Sequence, residues 1–258
     1  MSSPSATRSA GGGASSASPA PPKGDHFEAV IAEIRAAVGE PDGPAPRSAR
    51  GRATCDKLLA AGAEVFGERG YEQTRVEDIV GRAGFAHGSF YRYFPDKDAI
   101  LQEILVRLYA ELNVATRTES HGEEAASLHE LTRRLEAYNI RFFHEYAARR
   151  GLLRVAREAA ASSSSQRFRE IWFAMRGRFV ARTRRLIERL QQRGHAAGLD
   201  ARLTAEALGA TSEQMAYVLV GLPAELPAKR ELDAIGRACN EIWVRTLLPE
   251  TAVDGEPA

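Results

Sequence analysis

The chain has 258 residues, of which 44% are hydrophobic and 27% are charged, and its formal net charge at pH 7 is +1. This length suits one large or two modest domains with a real hydrophobic core. No stretch approaches about 18 apolar residues and the N-terminus lacks an apolar signal core, so we expect a cytoplasmic protein without a membrane partner. The near-zero charge provides no overall attraction to a polyanion, so any such binding must come from local patches.

Two further features of the composition bear on the origin and compartment of the protein. Arginine outnumbers lysine by 31 to four, and this bias is typical of a bacterial genome of high GC content. The two cysteines, Cys55 and Cys239, have neither metal-binding nor redox spacing, which indicates buried, reduced thiols.

The first 46 residues divide into a tail and one helical segment. Residues 1–24 are rich in Ser, Gly, Ala and Pro and almost lack large apolar groups, which predicts disorder. Residues 25–46 contain an extra helix from Asp25 to Val38, with Asp25 as its cap, and then a linker that Pro and Gly interrupt. This helix either packs on its own domain or frays in solution, or it adds a contact to a binding partner.

Residues 47–98 contain a first helix, at about residues 54–69, that precedes and supports two short helical patterns. Thr74 and Glu77 then have the spacing of a capping box, so we expect a second helix to start near Arg75. Gly84 follows that helix and offers the left-handed conformation that lets the chain turn. Two helices joined by a glycine turn are typical of a helix-turn-helix.

The third helix of this region is predicted to begin about His87. Helical spacing places Phe90 and Phe94 on one face, which we expect to pack. The opposite face and its flanks carry His87, Gly88, Ser89, Tyr91, Arg92 and Tyr93. Glycine costs a helix interior roughly 1 kcal/mol relative to alanine, so Gly88 suggests that another surface comes close there.

Residues 95–97 end this helix and start the next. Pro95 cannot continue the helix, Asp96 is a good cap, and Lys97 falls in the first turn of the following helix. Free amides at a helix start bind anions well, so Lys97 is a candidate for a phosphate contact.

Residues 50–105 resemble the N-terminal domain of the tetracycline repressor (TetR) family of bacterial transcriptional regulators. The residues that carry the resemblance are Thr54, Leu58, Ala63, Phe66, Gly70, Tyr71, Thr74, Val76, Ile79, Ala83, Gly84, Gly88, Ser89, Phe90, Tyr91, Tyr93, Phe94 and Lys97. One departure is Ala86, where the family usually has a Ser or Thr that caps the recognition helix; losing such a cap costs about 1 kcal/mol. The resemblance implies a homodimer that binds a double-stranded DNA operator.

The candidate DNA contacts follow from this resemblance and from the exposed face of the third helix. They are Arg47, Arg50, Arg52, Thr74, Arg75, His87, Gly88, Ser89, Tyr91, Arg92, Tyr93 and Lys97. The first three arginines precede the first helix as a basic arm that could follow phosphates or enter a minor groove, or could be solvated charge. Tyr91 and Tyr93 occupy positions that touch the DNA backbone in the family, although simple packing would also explain them. Arginine most often reads guanine, so Arg92 is the residue that would specify a G; exposed polarity is its alternative role, as it is for His87.

The remainder of the chain, residues 99–250, predicts further helices and no alternating strand pattern. One long amphipathic helix begins at Asp96 and leads out of the DNA-binding domain, where it could act as a lever. Polar breaks separate helices at about 128–148, 151–161, 166–193, 201–220 and 229–247, and residues 251–258 are predicted to be disordered. The predicted fold class is therefore all-α, with an N-terminal three-helix helix-turn-helix domain joined to a C-terminal helical domain, to which the resemblance assigns ligand binding and dimerisation.

The C-terminal domain contains aromatic and soft side chains that are either ordinary core or the lining of a ligand pocket. The candidates are Tyr109, Tyr138, Phe142, Phe143, Tyr146, Trp172, Met175 and Phe179. Residues 149–193 also hold thirteen arginines and three acids. These arginines are either solvated helix faces or an anion site, for which an acyl-CoA is one hypothesis. The family typically holds an inducer in this domain.

The last two helices carry apolar stripes that either pack within the chain or form a dimer interface, as the corresponding pair does in the family. The stripes are Leu203, Ala207, Leu208, Met215, Val218 and Leu219, and then Leu232, Ile235, Ala238, Ile242 and Val244. A dimer would place its two recognition helices in half-sites about one helical turn apart or somewhat more.

No catalytic constellation is evident: the sequence lacks a glycine-rich phosphate loop, a nucleophile elbow and metal-ligand spacing among its six histidines. We therefore expect no enzyme activity, cofactor or metal site. The expected function is a repressor that a small-molecule inducer releases from a palindromic operator, although an activator is also possible. The alternatives are a helical ligand- or protein-binding dimer without specific DNA binding and, more distantly, an enzyme built on the C-terminal helices.

Overall fold

A computed structural model describes residues 24–39, 48–116, 127–161 and 166–249. Within these ranges the chain is helical and has no strand, as the sequence predicts. The helices are α1 (Asp25–Val38), α2 (Ala49–Arg69), α3 (Val76–Ala83), α4 (His87–Phe90), α5 (Lys97–Thr116), α6 (Leu128–Ala148), α7 (Arg150–Ala161), α8 (Gln166–Gln192), α9 (Ala201–Ala216) and α10 (Lys229–Leu247), with a π-helical turn at Tyr217–Gly221. The predictions for residues 1–23, for Arg47 and the linker 40–47, for the breaks at 117–126 and 162–165, and for residues 251–258 lie outside the described residues.

The extra helix α1 packs against α5 and α8 of its own chain. Its buried face consists of Phe27, Val30, Ile31, Ile34 and Val38. Arg35 donates two hydrogen bonds to Glu103, at 3.0 Å to one carboxylate oxygen and 2.9 Å to the other. The predicted cap at Asp25 is wrong by one residue, because Gly24 is the N-cap and Asp25 is the first helical residue. Of the roles considered from the sequence, packing on its own domain is the one that the fold displays.

The Arg35–Glu103 pair gives a test of whether α1 stays docked in solution. The Glu103 side chain is only 6% exposed. Arg107 also contacts Glu103, at 2.8 Å, so replacing Arg35 leaves the carboxylate one cation. We expect Arg35→Met to lower the free energy of unfolding by about 1 to 2 kcal/mol, measured by urea denaturation. The exposed Arg133→Met on α6 should change it by less than about 0.5 kcal/mol; equal urea midpoints for the two variants would indicate that α1 is not docked.

Helix α2 begins five residues earlier than the sequence suggested. The Ser48 hydroxyl oxygen accepts a hydrogen bond from the Gly51 amide at 3.0 Å and so caps the helix before Ala49. Arg50 and Arg52 therefore lie on the first turn of α2, not in an extended arm, and both are exposed. The prediction that Arg50 and Arg52 belong to a basic arm before the helix is therefore wrong.

Helix α3 starts at Val76, but the predicted Thr74–Glu77 capping box is also wrong. Asp78 accepts a hydrogen bond from the Arg75 amide at 3.0 Å, so the reciprocal carboxylate lies one residue later than predicted. The Thr74 hydroxyl donates instead to the Gly70 carbonyl at 2.7 Å. The turn after α3 is as predicted, because Gly84 adopts a left-handed conformation with φ 73° and ψ 31°.

The regular part of the third helix, α4, is one turn long. Its N-cap, Ala86, makes no side-chain capping bond. Phe90 and Phe94 are buried, which confirms the predicted packing face. Backbone bonds from Tyr93 and Phe94 to the Phe90 carbonyl continue the turn up to Pro95. The recognition helix is therefore short and is held mainly by two phenylalanine side chains.

The C-terminal domain is built around the close pairing of α6 and α10. A Cβ on Gly236 of α10 would lie 2.5 Å from Ile140 Cα, so only glycine allows this approach. Helix α9 lies on α8, and a Cβ on Gly209 would lie 2.9 Å from the Phe179 ring. The helix predicted at 201–220 is interrupted, because its last turn is the π-helical turn. The predicted cap of α5 is confirmed: Asp96 accepts a bond from the Ala99 amide at 2.8 Å.

Candidate functional site

The face predicted to read DNA is open to solvent. We call it the recognition surface and define it as residues 87–93 without the buried Phe90. His87, Gly88, Tyr91 and Arg92 are exposed, and Ser89 and Tyr93 are partly exposed. The Tyr91 side chain is 50% exposed and contacts the His87 ring at a centroid distance of 5.2 Å. Exposed tyrosine and arginine side chains beside buried phenylalanines suit contact with another molecule.

Gly88 has no packing role within the chain. A Cβ at this position would meet nothing within 4 Å, and the residue is exposed. The fold therefore does not require glycine here. A close approach by an external surface would explain a glycine that weakens a short helix.

His87 is linked to the preceding helix. Its Nε2 atom lies 3.0 Å from Glu77 Oε1, and both side chains are about half exposed or more. The pair joins α3 to α4 across the turn. A DNA contact made by His87 Nε2 would require His87 to release Glu77, whereas a contact made by another atom of the ring would leave the pair intact.

Two of the candidate DNA contacts have structural roles within the domain. Lys97 Nζ donates to the Tyr71 carbonyl at 3.1 Å and to the Thr74 carbonyl at 3.3 Å, and it lies 4.3 Å from the Tyr71 ring centroid. This ammonium group holds the loop between α2 and α3. Thr74 is only 1% exposed and its hydroxyl is bound to Gly70, so its side chain is not presented to a ligand. The prediction that Lys97 is a phosphate clamp is therefore corrected to this extent: two of its N–H donors already bind carbonyls of its own chain.

Two arginines of the helix-turn-helix form ion pairs with acids of the same domain, and four others offer exposed side chains for contact with DNA. Arg82 of α3 binds Glu64 at 2.9 Å and Glu68 at 2.7 Å on α2. Arg69 binds Asp78 at 2.7 Å. These ion pairs fix α3 on α2. Four other arginines, Arg50, Arg52, Arg75 and Arg92, have exposed side chains that suit phosphate or base contacts.

The eight predicted ligand residues differ in burial, and one of them, Trp172, lines the cleft described below. Tyr109, Tyr138, Phe143 and Tyr146 are buried, and Phe142, Met175 and Phe179 are partly buried and pack against the core. Tyr138 and Phe179 both contact the Trp243 ring, at centroid distances of 6.3 and 6.0 Å. Trp243 belongs to the same aromatic cluster, but the sequence analysis did not single it out. Seven of the eight therefore lie in or against the core of the described residues, and a role for them in a ligand pocket stays a prediction.

Trp172, the eighth residue, lines a cleft of about 370 Å³ between α7, α8 and α9, and we call this the α7–α9 cleft. The charged and aromatic side chains that line it are Arg157, Arg169, Trp172, Phe173 and Glu213. Arg157 donates to Gln214 at 2.9 Å, and its guanidinium carbon lies 3.9 Å from the Tyr217 ring centroid. Burial raises the pKa of Glu213, and the neighbouring Arg176 and Arg157 oppose this effect.

Three of the thirteen arginines in residues 149–193 form ion pairs with acids outside that segment. Arg176 binds Glu206 at 2.7 Å and Glu213 at 2.6 Å on α9. Further ion pairs to acids outside the segment join Arg178 to Glu33 on α1, and Arg149 to Glu111 on α5 and Glu145 on α6. The sequence count missed these partners because they lie up to 145 positions away along the chain.

Helix α7 connects the cleft to the helix-turn-helix. One end of α7 carries Arg157, and the other end crosses α2 at two glycines. A Cβ on Gly151 would lie 2.8 Å from the Gly67 carbonyl oxygen and 3.0 Å from Gly67 Cα. The two backbones are therefore in direct contact, and a movement of α7 would act on α2 without intervening side chains.

Comparisons with known proteins agree with this architecture. A family model described as bacterial regulatory proteins of the tetR family matches residues 58–104, and one described as the C-terminal domain of transcriptional regulator EthR matches residues 136–248. The chain belongs to the TetR family of transcriptional regulators. Helix α1 lies outside both matched ranges. In this TetR-family protein, the helix-turn-helix lies within residues 50–105, the part of the sequence that carries the resemblance.

Relatives and solved structures match most of the chain. The HTH-type transcriptional regulator EthR of Mycobacterium tuberculosis is 26% identical over 195 residues, which is 75% of this chain and 86% of the relative. The HTH-type transcriptional repressor DhaR of a Mycobacterium species is 38% identical over 81 residues, 31% of this chain and 39% of the relative. A transcriptional regulator from Rhodococcus has a TM-score of 0.60 at 20% identity, covering 75% of this chain and 97% of that one, and therefore shows the fold. Among the described helices, none is long and apolar enough to cross a membrane.

Proposed function

We propose that this TetR-family regulator is a homodimeric, cytoplasmic repressor that binds a palindromic operator and leaves it when a small molecule binds the C-terminal domain. The observation that carries the proposal is the recognition surface: Tyr91 and Arg92 are exposed, and Gly88 has no packing role. The relative DhaR is named a transcriptional repressor, which supports repression rather than activation.

The proposed DNA contacts come from two places in the domain. The recognition surface provides base and backbone contacts through His87, Tyr91 and Arg92. Arg50 and Arg52 on the first turn of α2, together with Arg75 before α3, would neutralise phosphates. We propose that Lys97 supports these contacts mainly by holding the loop before α3, since two of its three N–H donors already bind carbonyls.

The exposed apolar face of the last helices supports dimerisation. Leu203, Val218, Leu219 and Ile242 are 54%, 42%, 41% and 41% exposed, which is unusual for such large apolar side chains in one region. Leu208 and Leu232 of the same stripes are buried within the chain. We propose that the exposed members pack against a second copy, whereas the buried members serve the intrachain core.

Ligand binding would shift the equilibrium between an operator-binding conformation and a released one. The ligand must bind the released conformation more tightly, because only this difference in affinity can change the populations. Helix α5, which leads out of the helix-turn-helix, and α7, which touches α2, are the elements that would transmit the shift.

The salt dependence of operator affinity tests the DNA-binding proposal. An operator is selected from random duplexes, and its affinity is measured by fluorescence anisotropy across a salt series. With three to four phosphate contacts per protomer, the slope of log affinity against log salt should be roughly −5 to −7 for the dimer. Tyr91→Ala should weaken specific binding about tenfold or more with little effect on this slope, whereas Arg50→Gln should reduce the slope by about one or two.

The outcome also separates the alternatives. Failure to select any sequence, together with weak binding that neither salt nor Tyr91→Ala affects, would favour a ligand- or protein-binding dimer. Arg133→Gln on α6 serves as the control, because it removes an exposed positive charge from the C-terminal domain. It should leave both the affinity and the slope unchanged.

A further inference from the structure

We propose that the α7–α9 cleft binds a compact organic monoanion, a carboxylate with an aromatic or acyl body, and that this ligand is the inducer. The inference rests on the proposed repressor function, since it names the class of the inducer and the site that receives it. Four features of the cleft support it: its charge, the orientation of Arg157, its apolar wall and its volume.

The charges of the cleft favour one negative group. Two arginines, Arg157 and Arg169, and one glutamate, Glu213, line it. The charge of Glu213 is already engaged, because Arg176 lies 2.6 Å from its carboxylate. Arg176 is itself balanced by Glu206 at 2.7 Å. Glu213 is thus already compensated within this group, and the Arg157 guanidinium on the cleft wall can pair with one carboxylate.

Arg157 is held in position before any ligand arrives. Its hydrogen bond to Gln214 and its position 3.9 Å above the Tyr217 ring restrict the guanidinium group. The bond to Gln214 uses one of five N–H donors, so the group can still bind a carboxylate. Preorganised cations lose less entropy on binding an anion, which favours affinity.

The apolar wall of the cleft suits the body of such a ligand. Trp172 and Phe173 lie next to each other on α8, and Ala160, Ala161 and Ala210 complete the lining. Phe173 is 63% exposed, although it is a large aromatic residue. A bound aromatic or acyl group would cover apolar surface that is now in water.

The volume of about 370 Å³ is near the lower end of the range of roughly 300 to 1,000 Å³ that small-molecule sites occupy. Acyl-CoA, which the arginine count had suggested, carries several phosphates on a large nucleotide and exceeds this volume, whereas a compact carboxylate fits it. The ion pairs of Arg149, Arg176 and Arg178 with acids elsewhere in the chain engage three of the thirteen arginines behind that count.

The position of Arg157 gives the ligand a route to the DNA-binding domain. Arg157 lies on α7, and the start of that helix is in backbone contact with Gly67 of α2. A ligand held between Arg157 of α7 and Trp172 of α8 would favour one spacing of these two helices, and α7 would pass that preference to α2. One helix, α7, would thus both contact the ligand and transmit the effect of its binding to the DNA-binding domain.

Three probes on the full-length protein test the inference: hydrocinnamate, its neutral amide hydrocinnamamide, and octanoyl-CoA. Affinity is measured by calorimetry and by the change in intrinsic tryptophan fluorescence, to which Trp172 at the cleft responds while the buried Trp243 contributes a constant background. Hydrocinnamate should bind about tenfold or more tightly than the amide, because a charged hydrogen bond is added. Arg157→Gln should remove this preference, whereas Arg184→Gln, which loses only an exposed pair with Glu188, should keep it.

The results bear separately on the ligand class and on the repressor function. Equal affinity for hydrocinnamate and its amide, tighter binding of octanoyl-CoA, or no saturable binding of hydrocinnamate would each overturn the inference. Hydrocinnamate that binds through Arg157 but does not release the operator would overturn its role as inducer. If no operator can be selected, the repressor proposal fails, and the binding data on the protein alone still decide whether the cleft takes a carboxylate.

Discussion

Replacing Gly88 by alanine should lower operator affinity about tenfold or more, which is about 1.4 kcal/mol, without weakening the fold. Nothing lies within 4 Å of the added Cβ in the free protein, so the substitution creates no clash there. Alanine also favours the helix by up to about 1 kcal/mol, so the thermal midpoint should stay the same or rise. The loss of affinity would come from contact between the new methyl group and the DNA backbone.

The control for this experiment is Gly177→Ala on α8. Gly177 is also exposed, lies within a helix and has nothing within 4 Å of an added Cβ. We expect it to raise stability by a similar amount and to leave operator affinity unchanged. Unchanged affinity for Gly88→Ala, measured by anisotropy on the selected operator, would show that DNA does not approach this glycine. The reading role of α4 would then rest on its side chains alone.

The sequence predicted those helices well that have strong end signals. The bounds of α6 (Leu128–Ala148) and α10 (Lys229–Leu247) agree with the structure at both ends, because prolines or capping residues flank their apolar patterns. Helix α2 was predicted to begin at Thr54 because its apolar face starts there. The Ser48 cap adds a turn that holds two arginines and small residues but no large apolar side chain, so it does not contribute to the periodic pattern.

The site residues were harder to predict because their partners are distant in sequence. Lys97 was assigned to phosphate from its place at a helix start, but the folded chain brings the Tyr71 and Thr74 carbonyls to its ammonium group. The ligand candidates were chosen by residue type, and aromatic side chains at helical spacing serve a core as well as a cavity. Trp172 differs from the others only through its neighbours on α7 and α9, which periodicity does not reveal.

Helix α1 shows a further limit. Its apolar spacing predicted its bounds and its buried face, yet not the helices that cover it. Contacts with α5 and α8 bring Glu103 and Arg178 to Arg35 and Glu33, respectively, and these pairs depend on the tertiary arrangement. The sequence could thus predict that α1 would be amphipathic, but could not choose between an intrachain and an external partner.

Replacing Gly151 by alanine should destabilise the protein by about 2 to 3 kcal/mol, because the added Cβ would lie 2.8 Å from the Gly67 carbonyl oxygen. Backbone atoms cannot rotate away as a side chain can, so α7 and α2 must separate. We expect the thermal midpoint to fall by roughly 4 to 12 °C, measured by circular dichroism. Operator affinity should also fall, by about tenfold, since α2 carries α3 and through it the recognition surface.

The matched control lies on the other side of the same helix crossing. A Cβ on Gly67 would come no closer than 3.9 Å to the α7 backbone, which is an ordinary contact. Gly67→Ala should therefore keep or slightly raise stability, and keep operator affinity. Equal behaviour of the two variants would show that α7 and α2 are not in direct contact in solution. Loss of operator affinity only in Gly151→Ala would identify this crossing as the junction through which α7, and any ligand bound to it, acts on the DNA-binding domain.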